Sequence, residues 1–427
     1  MRSFDKALAL AKPLADANPR DIEVLRAFVH TTEERGETLA GMGRVDDAVA
    51  ALRSAADAYE RLIVLPGVTP KLIMEASTAI QTLGDELCQD DGLANSETGL
   101  VAYRRSLALD ERAIQLDPNY MAARRGPAYM HLHIGSVNSE VDPARSLAEF
   151  RLASSILDSL PQTEQKKLFQ RRLHAILIRK QAMSLAELGE YSQASPLFEM
   201  SATQFRELLS ADRHDPLALG DMKRGLDAEA DSYAYAANPI LADVPADRLR
   251  NLRLATDRLE QEAEILRELA KQAADRGEFK TELANVMIRL NTVRNMVHAT
   301  AATSATRDSL ELLKKAADQA NASLQDLEFA ISAFLNVQPA TLRDARQAIS
   351  WAERGINITH HKNPGLLLLL AQAYREAGQP QQAIATARQG LSLLPPDTTA
   401  NRKTRVRRLL EAEVALDGYT VPRQMRQ

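Results

Sequence analysis

The chain is poor in cysteine and in aromatic residues. It has one cysteine in 427 residues, so no internal disulfide can hold the fold together. Aromatic residues make up only 4% of the chain. Val and Ile never alternate with polar residues over a long stretch, which argues against a β-rich fold. The residues that dominate instead are Ala, Leu, Glu, Gln and Arg, which favour helices.

Long apolar runs are also missing. The longest, Leu366 to Ala371, is far shorter than the roughly 20 residues that cross a bilayer. Asp5 stands where a signal peptide would carry its apolar core. The net charge of −4 gives no general affinity for nucleic acid. We therefore expect no membrane span, no nucleic-acid partner and a cytoplasmic location, or an extracytoplasmic one if the chain is a fragment of a membrane-anchored protein.

Helical periodicity runs almost from end to end. Apolar residues recur at steps of three and four, as at Ala48, Leu52, Ala55, Ala56, Tyr59 and Leu62. The interruptions are short and usually contain proline, as at Asn363-Pro364. Many helices joined by short polar turns predict an all-α fold, an α-solenoid of antiparallel helix pairs. We expect about fifteen helices from the length of one repeat unit.

One unit of the repeat is especially clear, between Pro364 and Pro395. Its spacing places large apolar residues beside small ones, which lets two helices approach closely. The positions concerned are Leu367, Leu370, Ala371, Tyr374, Gly378, Ala383, Ala387, Gly390 and Pro395. This pattern resembles the tetratricopeptide repeat. The resemblance implies a right-handed superhelix that binds other proteins without catalysing a reaction.

The repeat pattern also indicates how the chain is divided. Weaker copies predict one array over residues 1–237, a linker at 238–247 and a second array over 248–427, with a capping helix near 400–417. A division into two lobes would fall near residues 238–245. Residues 4–19 fit the second helix of a repeat, with Pro19 closing it. We therefore expect that the chain is a fragment, or a product whose N-terminal part was lost, because a repeat cannot bury its apolar face alone.

Two segments have a more specific resemblance. Residues 52–62 and 103–112 are similar to the repeats that follow the catalytic domain in bacterial serine/threonine protein kinases. The resemblance implies a regulatory or sensory segment of such a kinase. The sequence has no Gly-rich loop, His-Arg-Asp loop or Asp-Phe-Gly. Any catalytic domain would therefore lie outside this chain.

No pattern of residues predicts a catalytic, cofactor or metal site. His131 and His133 are two residues apart, so on a helix they point to different faces. His360 and His361 fall in a turn without ligand-type neighbours. Cys88 has no histidine partner in the sequence and is expected to be a small buried side chain. We predict no enzyme and no cofactor. An enzyme would instead require several buried acids with altered proton affinity in one deep pocket.

A basic cluster lies near the C-terminus, at Arg402, Lys403, Arg405, Arg407 and Arg408. We expect these cations to face water on the terminal capping helix, with an acidic or phosphorylated partner as the alternative. For a protein or peptide partner, the family's groove positions are Leu368, Gln372 and Arg375. The predicted function is a non-catalytic scaffold for protein–protein interactions. The alternatives are the kinase-linked segment and a structural module that forms homo-oligomers.

Overall fold

The computed structural model of the chain describes residues 2–42, 44–89, 93–137, 139, 142–238, 241, 247–273, 277–297, 304–394 and 404–416. These residues form nineteen α-helices and no strand. The first nine helices are α1 (Arg2–Ala17), α2 (Ile22–Gly41), α3 (Val45–Leu62), α4 (Pro70–Gln89), α5 (Leu93–Leu116), α6 (Met121–Val137), α7 (Pro143–Asp158), α8 (Gln162–Gln165) and α9 (Leu168–Glu187). The others are α10 (Tyr191–Ala211), α11 (Pro216–Ala236), α12 (Arg248–Gln272), α13 (Glu278–Val297), α14 (Ser304–Ala317), α15 (Leu324–Asn336), α16 (Ala345–Ile358), α17 (Pro364–Glu376), α18 (Pro380–Ser392) and α19 (Arg405–Ala415).

The packing order is that of a solenoid. Most helices pack on the next helix in the chain, and several also contact the helix after that, as α13 does with α15 and α15 with α17. The predicted all-α solenoid is confirmed. The expected count of about fifteen helices was too low. Among the described residues, no helix is long and apolar enough to cross a membrane.

The helices form two compact units. Unit 1 comprises Met1–Val137 with Ala148–Gln165, and unit 2 comprises Asn138–Leu147 with Lys166–Gln427. In unit 2 one large core contains Trp351 and Phe334, whose rings meet edge to face at 5.1 Å. In unit 1 a core surrounds Tyr59, Leu62 and Ile73. Most of the linker predicted at 238–247 lies outside the described residues, so that linker stays a prediction.

The clear repeat unit corresponds to α17 and α18. Gly378 ends α17 with φ of 77°, a backbone conformation that glycine adopts without strain, and the N–H of Gln379 closes the turn on the Tyr374 carbonyl. Ala371, Ala383 and Ala387 are completely buried where the helices meet. A Cβ at Gly390 would stand 3.0 Å from the Leu410 side chain and 3.4 Å from Leu367. Pro395, the closing residue of the pattern, lies outside the described residues.

Unit 1 contains a buried carboxyl group. Asp110 on α5 is only 1% exposed and accepts a hydrogen bond from Ser77 Oγ at 2.5 Å, while its other oxygen has no partner among the described residues. A Cβ at Gly126 would lie 2.3 Å from that oxygen. Burial raises the pKa of Asp110 to about 7, although the Ser77 hydrogen bond acts in the opposite direction. The native state therefore holds this proton more tightly than the unfolded chain does.

Replacing Gly390 with valine should destabilise the last repeat, because the new side chain must enter space held by Leu410 and Leu367. We expect a loss of about 1–3 kcal/mol in the free energy of unfolding, measured by urea denaturation. Gln389→Val, on the exposed side of the same helix, is the matched control. Equal stability of the two variants would contradict the close packing described for α17, α18 and α19.

Asp110→Asn should change how stability depends on pH. The ordinary pKa of 3.8 applies to the unfolded chain, and the native value is about 7. The stabilisation from the protonated carboxyl is therefore complete below about pH 4 and is lost as the pH rises to about 7. At pH 8 the variant should be more stable by up to about 4 kcal/mol. Urea denaturation at several pH values tests this, with the exposed Asp57→Asn as control; an unchanged slope in Asp110→Asn would refute it.

Candidate functional site

A cavity of about 630 Å³ lies within unit 2. Alternate helices supply most of its wall, namely α11, α13, α15 and α17, together with residues of α12 and the first turn of α19. These helices line it because each is the first member of its antiparallel pair, and such helices share one face of a solenoid. The wall mixes apolar side chains such as Leu252, Ile288 and Phe329 with polar ones. A concave surface of this kind suits a ligand with both polar and apolar parts.

Charged residues are concentrated around Arg289 on α13. Its guanidinium pairs with Asp227 and, at 2.6 Å, with Asp231, both on α11; Glu262 is 4.0 Å away. Burial alone would lower the pKa of Arg289, but Asp231, Asp227 and Glu262 outweigh it and hold that pKa well above its ordinary value. Burial, with Asp227, raises the pKa of Glu262 well above the usual range. Around Arg289 the wall therefore has two aspartates for one arginine, whereas the whole lining, with Arg248, Arg405 and Glu328, has three acids and three arginines.

An unpartnered amide also points to a ligand. Asn285 on α13 lines the cavity and is only 6% exposed, yet no described residue hydrogen-bonds to its side chain. The amide atoms of Asn285 are not among the buried atoms that lack a partner, so solvent reaches them in the cavity and a ligand could replace that water. An amide side chain can donate to and accept from a peptide group at the same time. Asn285 therefore offers an open donor and an open acceptor to a ligand in the cavity.

The start of α19 returns to earlier helices of unit 2. Arg405 Nε lies 3.0 Å from Glu187 at the end of α9, and its guanidinium stands 4.8 Å from the centre of the Tyr235 ring on α11. Arg408 donates to the Leu241 carbonyl at 2.8 Å. The expectation that the basic cluster faces water is therefore wrong for Arg405 and Arg408, because acceptors and an aromatic ring of distant helices cover them. Arg402 and Lys403 lie outside the described residues, and Arg407 has partners of its own.

The three residues predicted for partner binding occupy different environments. Leu368 is buried, packs against Val406 and Leu410 of α19 and lines the cavity. Gln372 is half-buried. Arg375 pairs with the Glu413 carboxylate and donates to the Glu413 carbonyl at 2.5 Å. The structure thus brings Leu368 to the cavity, and the role of all three in binding stays a prediction.

Unit 1 gathers a polar group whose residue types resemble a catalytic set. Tyr103 donates to Asp85 at 2.7 Å, and His133 lies 3.3 Å from the same carboxylate and stacks on the Tyr103 ring. His131 turns instead to Glu149 at 2.7 Å, so the two histidines face different helices as predicted. Burial raises the pKa of the nearby Cys88 thiol, which disfavours the reactive thiolate. This group fits a helix contact better than nucleophilic chemistry.

No protein-family profile matches the chain. No curated protein resembles it in sequence. Among solved structures, the nuclear import adaptor Nro1 aligns at 9% identity over 83% of this chain and 99% of its own, with a TM-score of 0.40. A monomeric mutant of IFIT1 with Gppp-AAAA aligns at 13% identity over 90% and 88%, with a TM-score of 0.37. Yeast Tom70 aligns at 14% identity over 92% and 96%, with a TM-score of 0.23.

These three proteins are helical repeat proteins of the tetratricopeptide type. At such identities and TM-scores, these alignments carry no argument about the ligand or the function of this chain. Nothing in the comparisons connects the chain with kinases. The function is therefore inferred from the side chains that line the cavity.

The sequence alone did not reveal the partners of Arg289 and Arg405. The stretch 248–317 has a helical pattern without repeat punctuation, so α13 could not be assigned to the same face as α11. One signal was available: Asp227 and Asp231 are four residues apart on a predicted helix, which places them on one face. Their partner Arg289 is about sixty residues away, at a distance in sequence that periodicity cannot connect.

Arg405→Gln should loosen the attachment of α19, since it removes the ion pair with Glu187 and the stacking on Tyr235. We expect a loss of about 2 kcal/mol in stability and faster amide hydrogen exchange in α19. Mass spectrometry of exchanged peptides provides the measurement. Arg388→Gln, exposed on α18, is the control and should leave exchange unchanged. Identical exchange in both variants would mean that Arg405 does not hold α19 in place.

Proposed function

We propose that the chain is a non-catalytic scaffold for protein–protein interactions, and that its binding surface is the cavity of unit 2. The partner is an extended segment of another protein. The observation that carries this proposal is the unpartnered Asn285 amide in a wall that mixes apolar and polar groups. An extended segment exposes peptide groups that this amide can bind and side chains that the apolar part of the wall can cover.

The charges of the cavity support a binding role over a chemical one. Asp227 and Asp231 are engaged by Arg289, so neither is set apart as a free acid or base. Glu262, whose pKa is raised, does not line the cavity, and Glu328, which does, already has a partner. General acid–base catalysis needs a titratable group within reach of the substrate proton. Such a pattern matches recognition of charged or polar groups better than a reaction.

Two narrower functions are proposed from the sequence alone. A regulatory segment of a bacterial serine/threonine protein kinase is supported by residues 52–62 and 103–112, which resemble the repeats of those kinases. A homo-oligomerisation module would require an exposed self-complementary apolar face. Size-exclusion chromatography with light scattering tests the homo-oligomerisation module, because a monomeric chain would exclude it.

Selection of a random peptide library displayed on phage tests the scaffold proposal. Peptides enriched on the intact chain should lose binding to Ser332→Phe, because Ser332 lines the cavity and the larger ring would fill it. We expect affinity to fall at least tenfold, as measured by fluorescence anisotropy of a selected peptide. Ser210→Phe, on the exposed end of α10, is the matched control and should bind normally.

Two outcomes would contradict the proposal. One is selection of no peptide by a folded chain, as judged by circular dichroism. The other is selection of peptides that bind Ser332→Phe as tightly as the unmodified chain, which would place the binding surface elsewhere.

A further inference from the structure

A second charged group in unit 2 carries more positive than negative charge. It is formed by Arg172 and Arg179 on α9 and by Asp221 and Arg224 on α11. Arg172 Nε lies 2.6 Å from one oxygen of the Asp221 carboxylate, and Arg224 Nη2 lies 2.5 Å from the other. Arg179 Nη1 is 3.8 Å from the same carboxylate and donates to the Asp221 carbonyl at 2.8 Å. Three guanidinium groups surround one carboxylate, which leaves two positive charges in surplus.

Arg179 is the buried member of this group, and the other two arginines repel it. Its side chain is 5% exposed and stands over the Phe205 ring. Burial lowers its pKa to about 10; Asp221 opposes this effect, and the repulsion from Arg224 and Arg172 adds to it. Its Nε has no hydrogen-bond partner in the part of the chain that the structure describes. An additional anion would relieve this repulsion.

The two outer arginines are accessible to such an anion. Arg172 is 33% exposed and Arg224 is 54% exposed. Both bind the same carboxylate through different oxygens, so their bonded nitrogens are at most about 7 Å apart. Each uses only one N–H on Asp221, and a guanidinium carries several donors in a planar fork. Gly220 leaves room beside Arg224, since a Cβ there would meet only that guanidinium, at 3.9 Å.

We propose that Arg172, Arg179 and Arg224 form a binding site for a phosphate group, with Arg172 and Arg224 as its direct ligands. The surplus of two positive charges matches phosphate, which carries about −1.5 to −2 near pH 7, better than a single carboxylate. Guanidinium forks bind phosphate oxygens through paired, charge-assisted hydrogen bonds. Arg179 is not a direct ligand and adds a positive charge from its buried position. This site does not depend on peptide binding in the cavity.

Calorimetric titration of the full chain with inorganic phosphate, at constant ionic strength, tests the site. Phosphate should bind, and Arg172→Gln or Arg224→Gln should each weaken binding about tenfold. Arg224→Lys, which keeps the charge and loses the fork, should also weaken it. The control is Arg171→Gln, since Arg171 is the neighbour on α9 and pairs with Glu207 at 2.9 Å instead. It should bind phosphate normally.

Two further arms identify the source of the phosphate. A phosphoserine peptide that binds more tightly than inorganic phosphate, while its serine counterpart does not bind, would indicate a phosphorylated protein. Equal affinity for peptide and inorganic phosphate would indicate the free ion. Either result supports the site.

Absence of binding by the folded chain, or equal affinity in the Arg171, Arg172 and Arg224 variants, would overturn the proposal. Folding of each variant is checked by thermal unfolding without phosphate. Arg224→Gln removes both a hydrogen bond to Asp221 and a charge that repels Arg179, so the melting temperature should change little. A purely structural role for Arg224 would instead lower it.

Discussion

Close contact between neighbouring helices is the constraint on which the rest of the structure depends. A single helix pair cannot bury its apolar faces, so each pair needs the next one. Ala371, Ala383 and Ala387 allow that approach in α17 and α18, and Gly390 admits the side chain of Leu410. Since small residues set the distance between helices, they also determine where the side chains of alternate helices meet. The cavity wall of unit 2 follows from this repetition.

Charges inside unit 2 then determine which helices stay in register. Taking an ion out of water costs several kcal/mol, so a buried pair adds little net stability. Breaking such a pair is costly, however, because the remaining charge has no partner. Arg289 links α13 to α11, and Arg405 links α19 to α9. These links select one arrangement of the helices and keep Asp227 and Asp231 oriented toward the cavity.

Periodicity was enough to predict the helices, the small residues of the last repeat and the solenoid packing. The resemblance to the repeat family supplied Gly378, which ends α17 in a left-handed conformation that glycine adopts without strain. Periodicity failed for Arg405, which was expected in water. The amphipathic pattern of α19 describes how it packs on its own neighbours, α17 and α18. It contains no information about Glu187, which lies 218 residues away in sequence.

One face of α11 carries residues of both proposed sites, the phosphate site and the cavity. Asp221, Arg224, Asp227 and Asp231 follow at intervals of three and four residues, so they share one side of the helix. The surplus is positive around Arg224 and negative around Asp227, about 5 Å further along the axis. The net charge of −4 for the whole chain does not reveal this arrangement of charges along α11. A partner that used both proposed sites would be selected by the sequence of its charges, because reversing it would place like charges together at both positions.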